Sequence, residues 1–298
     1  MSVNTTVRFR TYAKINLFLR ILGLRRDGFH EIETVLHGVS LFDEIEIERT
    51  DRDVEVTMEL LDGVAGALPS AGENLVRRAA QVLVDGHDSV LGARLHVKKG
   101  IPIAAGLGGG SGNAAGVLVT LAEIWDLEVD RERLFALAGS LGSDVPYCID
   151  GGSALATARG EQLTPLPNVR PMWFVLAGSD QPLLTREVYE RWDAMGPPED
   201  ASVSALTLAL GAGDAAEVAA MLHNDLEQPA FALRPDLEGQ KQLLVDSGAL
   251  GASMSGSGPT LFAIANGEAH ARAMASRVEP SFDWIRCVAS QPACIERL

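Results

Sequence analysis

Hydrophobic positions in the first hundred residues alternate. From 11 to 23, Ile15, Leu17, Leu19 and Ile21 fall on one side of an extended chain, and Lys14, Asn16, Phe18 and Arg20 on the other. That is the two-residue period of a strand. Arg25-Arg26-Asp27-Gly28-Phe29-His30 follows, and its Asp-Gly pair predicts a turn. Further strands are predicted at 34–40, at 43–48 (where Ile45 and Ile47 sit between glutamates), at 53–60 and at 93–98. Over 73–85 the period changes: Leu75, Val76, Ala79, Val82 and Leu83 recur at helical spacing, and Gly86 acts as a stop.

Helices are predicted at 113–125, with Ala114, Val117, Leu118, Leu121 and Trp125 on one stripe, and at 131–141, capped by Gly142. A turn at Asp150-Gly151-Gly152 leads to a strand at 153–158. Thr164-Pro165-Leu166-Pro167 is the candidate linker. Beyond it the pattern predicts a strand at 172–176 and helices at 185–195, 204–211, 215–222 and 234–247. A second glycine-rich turn, Ser255-Gly256-Ser257-Gly258-Pro259, precedes a strand at 260–265. Without a regular βαβ rhythm in the first sixty residues, the class is α+β rather than doubly wound.

Composition narrows the function. The chain has 298 residues, a length for about two domains, and 40 acidic against 25 basic residues, a formal charge of −15. Nucleic-acid binders and proteins of anionic membrane surfaces show the opposite balance, so neither partner is expected. The three cysteines (Cys148, Cys287 and Cys294) lack metal-ligand spacing and read as buried, reduced thiols. There is no apolar run of signal-peptide length at the start, and no stretch approaches the roughly 18 apolar residues of a membrane span. A soluble, cytoplasmic protein is expected, and the oligomeric state is not legible.

The densest chemistry is Gly106-Leu107-Gly108-Gly109-Gly110-Ser111-Gly112-Asn113, with five glycines between a strand and a helix. Backbone without Cβ atoms approaches a ligand closely, and free N–H groups at a helix start bind anions, phosphate above all. The Walker pattern is absent, because no lysine follows the run. Gly110-Ser111-Gly112-Asn113-Ala114-Ala115 can be read as a dinucleotide fingerprint, but the span after it leads from helix to helix rather than to a second strand ending in an acid.

Pro102-Ile103-Ala104-Ala105-Gly106-Leu107-Gly108-Gly109-Gly110-Ser111 resembles the phosphate loop of the GHMP kinases. Three further segments make the likeness narrower: Ala13-Lys14-Ile15-Asn16-Leu17 with Asp27-Gly28-Phe29-His30, then Gly142-Ser143-Asp144-Val145-Pro146, then Met254-Ser255-Gly256-Ser257-Gly258-Pro259-Thr260. In order and spacing they are similar to the 4-diphosphocytidyl-2-C-methyl-D-erythritol kinases of the non-mevalonate isoprenoid pathway, and Asn224-Asp225-Leu226-Glu227 fits as well. The resemblance runs from about residue 8 to 265.

It implies a two-lobed α+β fold with the active site between the lobes, residues 1–164 binding nucleotide and 165–298 contributing to the substrate site. The implied reaction moves the γ-phosphate of ATP to the 2-hydroxyl of the cytidyl substrate. Asp144 is then the base facing that hydroxyl, and Lys14 pairs with it and stabilises the transferring phosphoryl. Lys99 and the loop from Pro102 through Ser111 to Gly112 face ATP. Mg²⁺ accompanies ATP, with the Ser111 hydroxyl its one candidate protein donor. Asn16 falls at the methylerythritol hydroxyls, His30 at the cytosine edge, and Phe29 and Tyr189, the latter in Thr185-Arg186-Glu187-Val188-Tyr189, on the two faces of the base. Trp192 replaces Tyr189 if the alignment is one turn off. Three positions depart from the family: Phe29 for the usual Tyr, Ala104 for a common Gly, and Gly112 for a common second Ser. The rival within the superfamily, a kinase of another small alcohol, would keep Lys14, Asp144 and the loop but not need the aromatic pair. A binding protein that had lost catalysis would not need Lys14 and Asp144.

Overall fold

Two long strands, β1 (Thr6–Leu24) and β2 (His30–Thr50), pair antiparallel across the turn at 25–29 and form the spine of the molecule. The computed structural model describes residues 6–70, 72–86, 91–166, 170–196 and 201–298. After β2 come β3 (Val54–Leu60), α1 (Leu75–Val84) and β4 (Gly92–Lys99); β4 runs antiparallel to β2 and parallel to β3. Next are α2 (Gly109–Ile124), α3 (Arg131–Leu141), α4 (Tyr147–Asp150), β5 (Ser153–Thr157) and β6 (Gln162–Pro165), with β5 against β2. The apolar faces of these strands, including Phe9, Ile45, Ile47 and Leu95, pack on Ala79 and Leu83 of α1 and Val117 and Leu121 of α2.

The remainder runs β7 (Trp173–Gly178), α5 (Thr185–Met195), α6 (Val203–Ala212), α7 (Ala215–Ala220), β8 (His223–Asn224), α8 (Glu227–Leu233), α9 (Asp236–Asp246), β9 (Gly251–Met254), β10 (Leu261–Ala265), α10 (Glu268–Val278), β11 (Trp284–Ala289) and β12 (Ile295–Arg297). Its own antiparallel sheet has the order β11-β7-β10-β9. Two short strands cross to the first sheet, β12 onto β1 from outside and β8 parallel to β1 at Phe18 and Leu19. A core between the sheets joins Ile15, Leu17 and Val35 to Phe174, Leu176 and Phe262. For that reason β1 is buried on both faces.

The structure changes several sequence readings. Predicted strands 34–40 and 43–48 are one strand, β2, bent where Tyr12 pairs with Phe42 but Ala13 with Val39, so that Ser40 and Leu41 bulge. A second irregularity, between Asn16 and Phe18, removes Phe18 from the Lys14 face and buries it with Ile15 and Leu17. Helix α2 starts at Gly109, four residues before the predicted start, because glycine's poor propensity hides a turn that tertiary contacts hold. The first half of the candidate linker, Thr164 and Pro165, belongs to β6; Pro167 lies outside the described residues. Cys148 and Cys294 are buried, while Cys287 is only half-buried; all three are free. Among the described residues no helix is long and apolar enough to cross a membrane.

Candidate active site

Lys14 and Asn16 leave β1 on the same face. The Lys14 Nζ donates to Asn16 Oδ1 at 2.8 Å, Asn16 Nδ2 to Thr34 Oγ1 at 2.8 Å, and Thr34 Oγ1 to the Phe18 carbonyl at 2.6 Å. The bulge at Asn16–Phe18 turns that carbonyl to Thr34, so a local irregularity fixes the lysine's direction. Asp144 Oδ2 lies 3.4 Å from Lys14 Nζ; the lysine side chain is 5% exposed and the aspartate 36%. The aspartate sits in the turn between α3 and α4. There Gly142 N–H closes α3 on Ala138 and the Asp144 carbonyl accepts the first N–H of the next turn, from Cys148. A buried cation therefore faces a carboxylate open to the cleft.

The glycine-rich loop packs directly on this pair. The Lys14 backbone N–H donates to the Leu107 carbonyl at 2.9 Å. Gly108 has φ +71°, and a Cβ there would stand 2.9 Å from Lys14 Cγ, so any side chain would strain the backbone and push the lysine away. The loop opens α2, sixteen residues long, with Gly108 as its N-cap and no side chain satisfying its first N–H groups. Those groups and the helix dipole make an anion site.

Helix α5 supplies the opposite wall through a stripe of residues spaced four apart. Thr185, Tyr189 and Asp193 face the cleft, while Val188 and Trp192 on the adjoining stripe are buried. Asp193 Oδ1 is 2.8 Å from His30 Nε2, and the His30 ring lies 4.8 Å from that of Tyr189, tilted by 34°. Burial raises the Tyr189 phenol above its ordinary range, with the charges of Asp144 and Asp225 adding to the effect, so it stays a neutral donor. Phe29 is 54% exposed on the hairpin turn, and the Arg159 guanidinium lies over its ring at 5.1 Å.

The second glycine-rich turn reaches the same place. Thr185 Oγ1 is 2.8 Å from Ser257 Oγ, and Ser255 Oγ donates to the Gly106 carbonyl at 3.0 Å. At Gly256, φ +58°, a Cβ would lie 3.2 Å from Asn16 Oδ1; glycine lets this backbone close on the Lys14–Asn16 pair. Asn224 holds the turn by donating to the carbonyls of Met254 and Gly256 at 2.7 and 2.8 Å. Asp225 accepts from Ile21 N–H at 2.7 Å, and Glu227 from Met254 N–H at 2.8 Å. The Asn224–Glu227 segment is thus a clamp between β1 and the turn.

Two cavities result, one of about 860 Å³ lined by Lys14, Asn16, His30, Asp144 and Tyr189, and one of about 270 Å³ lined by Lys99, Asn74 and the loop. They share Gly106, Gly108 and Ser111. A larger polar-aromatic cleft and a smaller anion pocket meet where the Lys14–Asp144 pair stands, the layout that transfer of a phosphoryl group between two ligands requires.

Comparison with known proteins agrees. Residues 74–152 match the GHMP kinases N terminal domain and residues 206–282 the GHMP kinases C terminal domain. A 4-diphosphocytidyl-2-C-methyl-D-erythritol kinase from Gloeobacter violaceus is 38% identical over 294 residues, covering 96% of this chain and 95% of that protein. The namesake from a Nocardioides species is 41% identical over 271 residues, with 90% and 91% covered. The chain belongs to the GHMP kinases. A crystal structure of a 4-(cytidine 5'-diphospho)-2C-methyl-D-erythritol kinase superposes with a TM-score of 0.81 at 33% identity, covering 95% of this chain and 98% of that one. GHMP kinases are ATP-dependent kinases.

In this GHMP kinase the residues singled out from sequence distribute between the cavities. Lys14, Asn16, Phe29, His30, Asp144, Thr185 and Tyr189 line the larger, and Lys99 with Pro102 to Ser111 the smaller. Gly112 is not brought to either: its N–H donates to Gly108 and its α-carbon faces the Tyr12 carbonyl. Trp192 goes to the core and stands edge-on to His30 at 5.6 Å, leaving Tyr189 in the cleft. Ala104 takes φ +55°, the left-handed region its glycine counterpart would occupy without strain. Sequence reasoning missed Asp193, which the spacing 185, 189, 193 marks as part of the stripe. It missed Arg159, which carries no local signal, and Asp43, which binds Lys99.

Proposed function

We propose that this chain transfers the γ-phosphate of ATP to the 2-hydroxyl of 4-diphosphocytidyl-2-C-methyl-D-erythritol, releasing ADP and the 2-phosphate. The observation that carries the reading is the Lys14–Asp144 pair standing where the two cavities join. ATP occupies the smaller cavity, its phosphates on the N–H groups at the start of α2. The alcohol enters from the larger one. Asp144, half-exposed and 3.4 Å from Lys14, accepts the proton of the attacking hydroxyl as the new P–O bond forms. Lys14, steered by Asn16, balances the charge that spreads over the transferring phosphoryl oxygens.

Mg²⁺ travels with ATP and neutralises its phosphates when bound. Among the described residues no three His, Cys, Asp or Glu side chains gather to hold a metal, and Ser111 offers a hydroxyl in the lining that both cavities share. This donor set fits an ion held mostly by phosphate and water oxygens. The cytosine is proposed to lie between Phe29 and Tyr189. Because His30 Nε2 faces the Asp193 carboxylate, that nitrogen carries the proton and Nδ1 is the acceptor for an exocyclic amine. Arg159, over Phe29, adds a cation to the lining of the larger cavity. Residues 1–164 form the nucleotide side, and 165–298 contribute α5 and the second glycine-rich turn. The enzyme is placed in the cytoplasm, where ATP is supplied.

The test is ADP release by purified protein with Mg·ATP and a panel of alcohols: the cytidyl substrate, methylerythritol phosphate and other small alcohols. Turnover confined to the cytidyl substrate supports the reading. Turnover on another alcohol, with none on the cytidyl compound, replaces the substrate and keeps the kinase.

A further inference from the structure

Alternation along β2 and β4 puts charge where apolar residues belong. The buried face of β2 reads Asp43, Ile45, Ile47, and that of β4 reads Ala93, Leu95, Val97, Lys99. The antiparallel register that pairs Glu44 with Lys98 brings Asp43 opposite Lys99. Their side chains form an ion pair, with Asp43 shut off from solvent and Lys99 4% exposed. Either charge alone would be costly there. The other carboxylate oxygen is used too: Oδ1 accepts from the backbone N–H of Gly100 at 2.8 Å and of Ile101 at 2.9 Å, where β4 ends and the phosphate loop begins. Lys99 reaches the loop's other end, since a Cβ on Gly109, the first residue of α2, would lie 3.2 Å from Lys99 Nζ. One carboxylate ties both ends of the loop.

We propose that Asp43 is a positioning residue for nucleotide binding: it fixes the Lys99 ammonium and the Gly100–Ile101 backbone, so that the loop between them keeps its N–H groups aimed into the smaller cavity. The inference rests on the reading of that cavity as the ATP site. Asp43 touches no nucleotide itself; its effect passes through Lys99 and the loop.

The test measures affinity for a fluorescent ATP analogue, mant-ATP, and steady-state kinetics in the full chain and in Asp43→Asn, Lys99→Gln and the double variant. Each single change is expected to weaken mant-ATP at least tenfold and to raise KM for ATP by a similar factor, while kcat and the KM for the alcohol change less than threefold. The double variant should bind no worse than the weaker single, because the two side chains act as one unit. A merely structural role would lower the active fraction, so kcat would fall with KM for ATP unmoved. That result, an unchanged mant-ATP affinity in Asp43→Asn, or additive losses in the double variant, overturns the proposal. If Asp43→Asn fails to fold, the double variant, which buries neither charge, is compared with Lys99→Gln instead. Wild-type protein that does not bind mant-ATP overturns the ATP reading along with the proposal, whereas wild-type binding with unaffected variants overturns the proposal alone.

Discussion

Lys14 and Lys99 are both buried lysines, on the strands β1 and β4 that flank β2, each paired with an aspartate, and they differ in what the aspartate is left free to do. Asp43 is fully enclosed and gives its oxygens to Lys99 and two backbone N–H groups. Asp144 meets Lys14 at 3.4 Å, keeps 36% of its side chain open, and faces the large cleft. A saturated carboxylate holds structure; an open one beside a fixed cation is available to a substrate proton. Chemistry is distinguished here by unfilled hydrogen-bonding capacity rather than by residue type.

Substitutions at the two pairs should fail differently. Asp144→Asn should lower kcat by about 10²–10⁴-fold, the usual worth of a general base, with folding stability shifted by no more than about 1 kcal/mol because the pair is partly solvated. ADP release at saturating substrates and urea midpoints check both parts. A stability loss as large as the kinetic one would make Asp144 a second holding residue. Lys99→Met should reverse the pattern. It leaves Asp43 buried without its cation and should cost about 3–5 kcal/mol of stability, read as a lowered urea midpoint.

A third buried polar group, His37, sharpens the contrast because it has no ionic partner. Its ring nitrogens lie 2.7 Å from the Ser153 and Ser290 hydroxyls, and burial holds its pKa down at about 4, against 6.5 ordinarily. The unfolded chain takes up the proton near pH 6.5 and the folded one only near 4. The stability this provides is complete above pH 6.5 and is lost as pH falls toward 4, about 3 kcal/mol in all. Urea midpoints between pH 7.5 and 4.5 should fall more in wild type than in His37→Asn; equal slopes would mean that burial does not set this titration. The smallest effect is expected at the cleft's rim. Phe29→Tyr should lower KM for the cytidyl substrate by about two- to fivefold through a restored hydroxyl, within the range of one modest hydrogen bond.

Much of this was legible in the chain. Helices α3 and α5 begin and end where periodicity put them, because their stripes are regular and a glycine follows each. The loop and the Lys14–Asn16 face were visible for the same reason: their residue types are unusual for their surroundings. What escaped depends on contacts distant in sequence. β12 is only three residues long and pairs with β1 about 290 residues away, as Phe9 opposite Arg297 shows. Asp43 was visible and passed over, since an acid among glutamates looks solvated. Only its phase with Ile45 and Ile47 shows that it is buried.

The most direct test of the division between the two pairs is a crystal structure of Asp144→Asn with a non-hydrolysable ATP analogue and the cytidyl substrate. The expected density has the γ-phosphate beside Gly108 and Ser111, and the acceptor hydroxyl within about 3 Å of the residue-144 side chain. Lys99 should still be turned to Asp43. A nucleotide lodged in the larger cleft, or an acceptor hydroxyl beyond the reach of position 144, would contradict it.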